Sequence, residues 1–125
     1  MLLHRDLKPD NIGFTLNGTL KIFDFGLSRV VYDASPDDIG GYYDMSNCGS
    51  WRYMAPEIVE SKMYNHKVDV YSFAIILWEM MMFEKPFDGM TKKEIYERVA
   101  RGGERPPLVK KWPQSLVQLM TLCWR

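Results

Sequence analysis

Apolar residues form short runs before residue 31 and longer stretches of helical character after residue 55. Residues 12–15 and 20–23 are two of the short runs, and each is rich in residues that favour β-strands. Between them lies an Asn17-Gly18 pair, the dipeptide that most favours a tight hairpin turn. The pattern therefore predicts a β-hairpin over residues 12–23.

The pattern of residues in the second part of the chain predicts four helices. A short helix begins at Pro56, because proline suits the first helical turn, and extends to about residue 61. Residues 68–83 are apolar almost all round, a pattern that places a helix inside a core. Thr91 and Glu94 fit a capping box at the start of a third helix, which the glycines at 102 and 103 end. The last helix opens at residue 113, with an apolar face of Leu116, Leu119, Met120 and Cys123.

Residues 27–47 have no hydrophobic periodicity and are rich in aspartate, serine and glycine. Such a tract is typical of a long surface loop, and long loops in compact domains are usually functional or disordered. Aromatic residues return at 49–57, where an ordered segment is expected.

The composition narrows the class of protein. The chain has 125 residues, 46% of them hydrophobic and 26% charged, as in an ordinary globular domain. Lys+Arg and Asp+Glu are both 16, which argues against a nucleic-acid or anionic-membrane binder. We find no apolar run of the roughly 20 residues that a membrane span needs. Cys48 and Cys123 lack the spacing of a metal site or disulfide framework, so free thiols in the reducing cytoplasm are expected.

One polar stretch carries most of the candidate chemistry: His4-Arg5-Asp6-Leu7-Lys8-Pro9-Asp10-Asn11. Its proline disfavours a helix, so we expect a rigid loop that directs several polar groups to one place. The order His-Arg-Asp-Leu-x-x-x-Asn resembles the catalytic loop of protein kinases. The triplets Asp24-Phe25-Gly26 and Ala55-Pro56-Glu57 follow in the order and at the distances that this family shows. The whole chain resembles part of a protein kinase catalytic domain.

The resemblance implies roles in phosphoryl transfer from ATP to a protein. Asp6 would accept the proton of the substrate hydroxyl, and Lys8 would place its ammonium against the transferred phosphate. Asn11 and Asp24 would hold Mg²⁺ through oxygen atoms, and the predicted hairpin would keep the two close together. The implied catalytic residues are thus Asp6, Lys8 and Asn11. The implied ATP- and Mg²⁺-binding residues are Lys8, Asn11 and Asp24.

The resemblance also implies regulation at the long polar loop. An arginine at the position of Arg5 can pair with a phosphate on the activation loop and order it. The candidate acceptors of that phosphate are Ser35, Tyr42, Tyr43 and Ser46, although each is also an ordinary polar loop residue.

Structural roles are implied for a further group of residues. His4 is expected to pack near Phe25 of the Asp-Phe-Gly triplet, which Gly26 completes, rather than to act as a base. The hydroxyl of Ser50 is expected to bridge the catalytic aspartate and lysine. Asp69 is expected to hydrogen-bond backbone groups of the His-Arg-Asp turn, and Glu57 to pair with an arginine outside these residues.

The sequence combines features of serine/threonine kinases with features of tyrosine kinases. The Lys8-containing loop reads as in serine/threonine kinases, whereas residues 69–79 and Cys123-Trp124 resemble tyrosine kinases. This combination resembles the tyrosine-kinase-like group, which includes mixed-lineage and Raf-like enzymes. The implied organisation of residues 1–125 is a catalytic loop at 4–11, an activation segment at 24–57 and C-terminal-lobe helices at 58–125.

The 125 residues contain no Gly-x-Gly-x-x-Gly loop to cover the phosphates and no strand lysine with its helix glutamate. We therefore expect a mainly α-helical chain with one small β-hairpin, part of a kinase C-terminal lobe whose parent fold is α+β. The missing N-lobe and the rest of the C-lobe are its expected partners, besides the protein substrate. Three hypotheses remain: a piece of an active Ser/Thr kinase, itself inactive; a catalytically inactive lobe that acts as a binding module or scaffold; and a product without function.

Overall fold

The computed structural model describes residues 1–31, 42–43 and 47–125. Strands β1 (Leu2–Leu3), β2 (Ile12–Phe14), β3 (Leu20–Ile22) and β4 (Arg29–Val30) form two separate two-stranded antiparallel sheets. The helices are α1 (Pro56–Val59), α2 (Lys67–Met82), α3 (Lys92–Glu94) and α4 (Gln114–Cys123). Single 3₁₀ turns cover Pro9–Asn11 and Phe25–Leu27, and a π-helical segment, Ile95–Arg101, continues α3.

The predicted hairpin is confirmed as the β2–β3 pair, in which Ile12 faces Ile22 and Phe14 faces Leu20. Each strand is one residue shorter than predicted. Thr15 belongs to the turn, because its amide and carbonyl bond to Thr19 and Gly18 at 2.9 Å. Gly18 has φ +81°, a conformation that glycine adopts at little cost.

The second sheet corrects the expectation of a single hairpin. Leu2 pairs with Val30 and Leu3 with Arg29, so β4 lies inside the tract that the sequence predicts to be loop. Two-residue strands are too short to show an alternating pattern. The pairing places the residues before the predicted catalytic loop beside those after the Asp-Phe-Gly triplet.

Helix α2 is the centre of the core, as predicted. Val68, Ala74 and Ile75 are at most 1% exposed. The helix is not buried all round, however: Phe73 is 45% and Met80 55% exposed. Their side chains, with Leu7 and the apolar residues of the hairpin, line an open groove of about 400 Å³ between α2 and β2–β3.

The remaining helices agree with the sequence except in detail. Thr91 and Glu94 form the predicted capping box, and the helical stretch ends at Arg101 just before the two glycines. On α4, Met120 is buried, but Leu119 is 43% exposed, so the predicted apolar face is only partly covered. None of the helices in the described part of the chain has the length and apolar character needed to cross a membrane.

Candidate functional site

The residues of the predicted catalytic loop are fixed to the core by Asp69, which lies in the first turn of α2. One of its carboxylate oxygens accepts a hydrogen bond from the His4 amide at 2.7 Å, and the other from the Arg5 amide at 2.9 Å. Arg5 has φ 66°, a left-handed conformation that is uncommon for a residue with a side chain. The two bonds to Asp69 hold the turn in that conformation, so the expected contact of Asp69 is present.

Three predicted site residues contact the carboxylate of Asp6. The Lys8 ammonium donates to Asp6 Oδ2 at 2.9 Å and to the Ser50 hydroxyl at 3.0 Å. The Ser50 amide donates to Asp6 Oδ1 at 2.8 Å. Asn11, which is buried, donates its side-chain amide to the Asp6 carbonyl at 2.9 Å and to Oδ2 at 3.3 Å. Ser50 thus joins the two charged residues, but not through its hydroxyl alone as predicted: the hydroxyl accepts from Lys8, and the backbone amide donates to Asp6.

These contacts tune the charges of the pair. Partial burial by itself raises the pKa of Asp6, but hydrogen bonds from Lys8 and Ser50 outweigh it and hold the pKa below its ordinary value. The hydrogen bond to Asp6 raises the pKa of Lys8. Both groups are therefore charged at neutral pH. The aspartate is an oriented hydrogen-bond acceptor, and the lysine is an oriented cation.

The predicted Mg²⁺ ligands lie at the two ends of the hairpin. The Asn11 carbonyl accepts a hydrogen bond from the Phe23 amide at 2.8 Å, so the residue before Asp24 is attached directly to Asn11. Asp24 is exposed and left-handed, with φ 54°, and its Oδ1 accepts from the Gly26 amide at 3.2 Å. Because the Asn11 amide nitrogen is turned to Asp6, its oxygen is the atom suited to a cation. An amide oxygen and an exposed carboxylate fit Mg²⁺ that is also bound by phosphates.

A metal site can also have ligands that are all protein side chains. Within the described ranges, no group of three or more His, Cys, Asp or Glu residues could hold a metal ion. Any ion held by Asn11 and Asp24 would therefore take its remaining ligands from phosphate and water.

His4 packs in the way that the resemblance implies. Its ring lies edge-on to Phe25, with the ring centroids 5.0 Å apart, and its Nε2 is 2.9 Å from the Phe23 carbonyl. The ring is buried and faces backbone instead of the open side of the site. These contacts make His4 a support for the Asp24-Phe25-Gly26 turn.

The Arg5 side chain bonds to residues outside the loop. Its Nε donates to the Leu27 carbonyl at 2.7 Å, and its Nη1 donates to the Tyr64 hydroxyl at 3.0 Å. Of the candidate phosphate acceptors, Tyr42 is 46% exposed, while Tyr43 is half-buried and pairs with Tyr64 through the backbone. Ser35 and Ser46 lie outside the described residues.

Glu57 is half-buried in the first turn of α1 and makes no ion pair with any residue that the structure describes. Its expected pairing with an arginine outside the chain stays a prediction.

Two residues at the site were not predicted from the sequence. Tyr64 contacts Arg5 across 59 positions, and no local pattern indicates this. Gly49 has φ +115°, and a Cβ atom there would come within 2.6 Å of the Arg5 carbonyl. A glycine directly before Ser50 is the only signal that sequence reasoning could have used.

Comparison with known proteins shows the family of the chain. The family model for protein tyrosine and serine/threonine kinases matches residues 1–125. Human mitogen-activated protein kinase kinase kinase 7 is 42% identical over 126 residues, which is 98% of this chain and 19% of that protein. The serine/threonine/tyrosine-protein kinase HT1 of Arabidopsis thaliana is 39% identical over 123 residues, 98% of this chain and 30% of that protein. The serine/threonine-protein kinase STY17 of the same plant is 34% identical over 124 residues, 99% of this chain and 20% of that protein.

The chain thus spans between a fifth and a third of the length of these relatives. The predicted similarity to tyrosine-kinase-like enzymes is confirmed. Over its whole length, this chain belongs to the protein tyrosine and serine/threonine kinase family.

Proposed function

We propose that this chain supplies the catalytic loop and activation segment of a kinase that transfers phosphate from ATP to serine or threonine of proteins. The observation that carries the proposal is the Asp6 carboxylate, which contacts Lys8, Ser50 and Asn11 and rests on Asp69 through the loop backbone. A solvated charged turn would not need a buried amide and a core carboxylate to fix one aspartate.

The arrangement suits phosphoryl transfer, which depends on positioning and charge more than on covalent chemistry. Asp6 is ionised and can accept the hydrogen bond of an incoming hydroxyl. Lys8 lies beside it, so its ammonium can stabilise negative charge on the group transferred to that hydroxyl. Asn11 and Asp24 would hold Mg²⁺, which neutralises phosphate charge when bound.

The substrate hydroxyl is proposed to be that of serine or threonine. Lys8 lies two residues after Asp6 and is fixed by Asp6 and Ser50, which is the serine/threonine form of the loop. ATP and protein substrates follow from the same proposal, as does the placement of the chain within a kinase C-terminal lobe.

The proposal also explains the open groove between α2 and the hairpin. Phe14 is 71% and Phe73 45% exposed there, and other parts of a kinase domain are proposed to cover them. The chain alone has no nucleotide-covering loop, so we expect the purified 125 residues to transfer no phosphate. Phosphorylation by the purified chain that Asp6→Ala abolishes would contradict this expectation.

A chimera tests the chemistry directly. The 125 residues replace the aligned segment of human mitogen-activated protein kinase kinase kinase 7, and the product is incubated with ATP and mixed Ser, Thr and Tyr peptides. We expect label on serine and threonine. Asp6→Asn should reduce kcat by about 10²–10⁴-fold, the range for loss of a general base. Asp88→Asn, at a 79%-exposed side chain, is the control. A chimera that folds and binds ATP but phosphorylates nothing, or only tyrosine, would refute the proposal.

The exposed groove favours a second candidate, a catalytically inactive lobe that binds a partner through its apolar surface. An antibody against residues 33–47 separates the two on extracts of the source cells. A kinase predicts a band much heavier than the 14.7 kDa of this chain. A band near 14.7 kDa would support the binding module.

A further inference from the structure

The contact between Arg5 and Tyr64 lies apart from the atoms that transfer phosphate. The Arg5 guanidinium is held on two sides, by the Leu27 carbonyl at 2.7 Å and by the Tyr64 hydroxyl at 3.0 Å. Its other terminal nitrogen, Nη2, donates to no residue in the described ranges.

Tyr64 is suited to hold that guanidinium in one position. The residue is 0% exposed, and it lies between α1 and α2. Its backbone forms an antiparallel bridge to Tyr43, with N–O distances of 2.9 and 3.2 Å. Tyr64 therefore contacts the catalytic loop with its side chain and the activation segment with its backbone.

The hydroxyl is also a neutral partner. Burial raises the pKa of Tyr64, and the charge of Arg5, which lowers it, does not cancel the effect. The phenol keeps its proton at physiological pH, so it accepts from Arg5 without forming an ion pair. The guanidinium keeps its full charge for an anion that approaches Nη2.

We propose that Tyr64 is a positioning residue, which holds the Arg5 side chain and thereby the neighbouring Asp6 in place before any phosphate is present on the activation segment. The link to catalysis rests on the proposed kinase function, whereas the link to Arg5 does not. A phosphate would then meet an arginine that is already oriented, and would add to the Tyr64 contact instead of replacing it.

Side-chain NMR of the 125-residue chain tests the contact without activity. With bonds on both Nε and Nη1, rotation of the Arg5 guanidinium about its Nε–Cζ bond is slow, so separate Nη signals are expected. Tyr64→Phe should speed this rotation at least about tenfold and so merge the two signals. Loss of a hydrogen bond to a charged group is expected to change a rate by about that factor or more. Tyr71→Phe is the matched control: Tyr71 is also buried, but its hydroxyl has no hydrogen-bond partner in the described chain. Equal rotation in the wild type and Tyr64→Phe would overturn the proposal.

The chimeric kinase tests the consequence. In the unphosphorylated chimera, Tyr64→Phe should lower kcat about tenfold with KM for ATP unchanged, and Tyr71→Phe should change neither. Arg5→Lys keeps the charge but loses the planar fork, so it should give a similar loss. In the double variant that combines Arg5→Lys with Tyr64→Phe, kcat should fall little further than in either single variant, because both substitutions act through one contact. Additive losses would overturn the proposal. An inactive parent chimera would overturn the kinase function, and the NMR comparison would still decide the role of Tyr64.

Discussion

Replacing Asp69 by asparagine should destabilise the fold and release the catalytic loop. The carboxylate accepts the His4 amide at 2.7 Å and the Arg5 amide at 2.9 Å. Asparagine has one acceptor oxygen, so its NH₂ group would oppose one of these amides. A hydrogen bond to a charged group contributes about 1.5–3 kcal/mol, and the surviving bond would weaken because its acceptor becomes neutral.

The expected loss in the free energy of unfolding is therefore roughly 2–4 kcal/mol, a large part of the 5–15 kcal/mol typical of a domain. With an m-value of about 2 kcal/mol/M, the urea midpoint should fall by about 1–2 M. Asp88→Asn removes a carboxylate that is 79% exposed and 3.7 Å from its partner, so it should change stability by less than about 0.5 kcal/mol. Equal midpoints for Asp69→Asn and Asp88→Asn would refute the assignment of Asp69 as the anchor.

Three further changes test other parts of the site. Gly49→Ala should destabilise the chain more than Gly18→Ala, because both glycines have positive φ but only Gly49 would place a Cβ against backbone, at 2.6 Å; urea denaturation of both variants compares them. Ser50→Ala should raise the pKa of Asp6, because it removes the hydroxyl, whose hydrogen bond opposes the effect of burial, and keeps the backbone amide; ¹³C NMR titration of the carboxyl measures this, and an unchanged value would contradict it. Burial raises the pKa of Tyr71 from 10.0 to about 12, so its protonated form contributes stability that is complete below pH 10 and lost as pH rises towards 12. Tyr71→Phe should flatten the loss of stability over that interval, as followed by circular dichroism; an equally steep loss would argue against Tyr71 as its source.

Local patterns predicted the local structure. The Asn17-Gly18 pair fixed the hairpin, and the capping box of Thr91 and Glu94 placed the third helix. Each of these signals acts through atoms only a few residues apart, so the tertiary fold does not override them. The catalytic-loop roles are of another kind, because they came from the resemblance to kinases and not from residue patterns.

Contacts between distant residues were not predicted. The β1–β4 pairing and the Arg5–Tyr64 bond join residues 26 or more positions apart, and neither leaves a periodic trace. The exposure of Phe73 on α2 has a similar cause. An apolar helix signals that it packs against something, but its sequence does not say which of its sides the described chain covers. The π-helical turn after Glu94 depends on a shift in hydrogen bonding that residue type does not reveal.

Because Asp69 lies far along the chain from the residues that it holds, the site can form only late in synthesis. The His4–Asp69 bond spans 65 positions and the Ser50–Asp6 bond spans 44. The hairpin, in contrast, pairs residues that are close together in the sequence. During synthesis at about 5–20 residues per second, Asp69 is added roughly 3–13 s after Asp6, which lies 63 positions earlier. The hairpin can form within that interval once Ile22 has been added, whereas the predicted catalytic loop cannot bond to Asp69 until the interval ends. A chain whose synthesis pauses before α2 would thus carry every predicted catalytic side chain but would lack Asp69, which fixes the turn directly before Asp6.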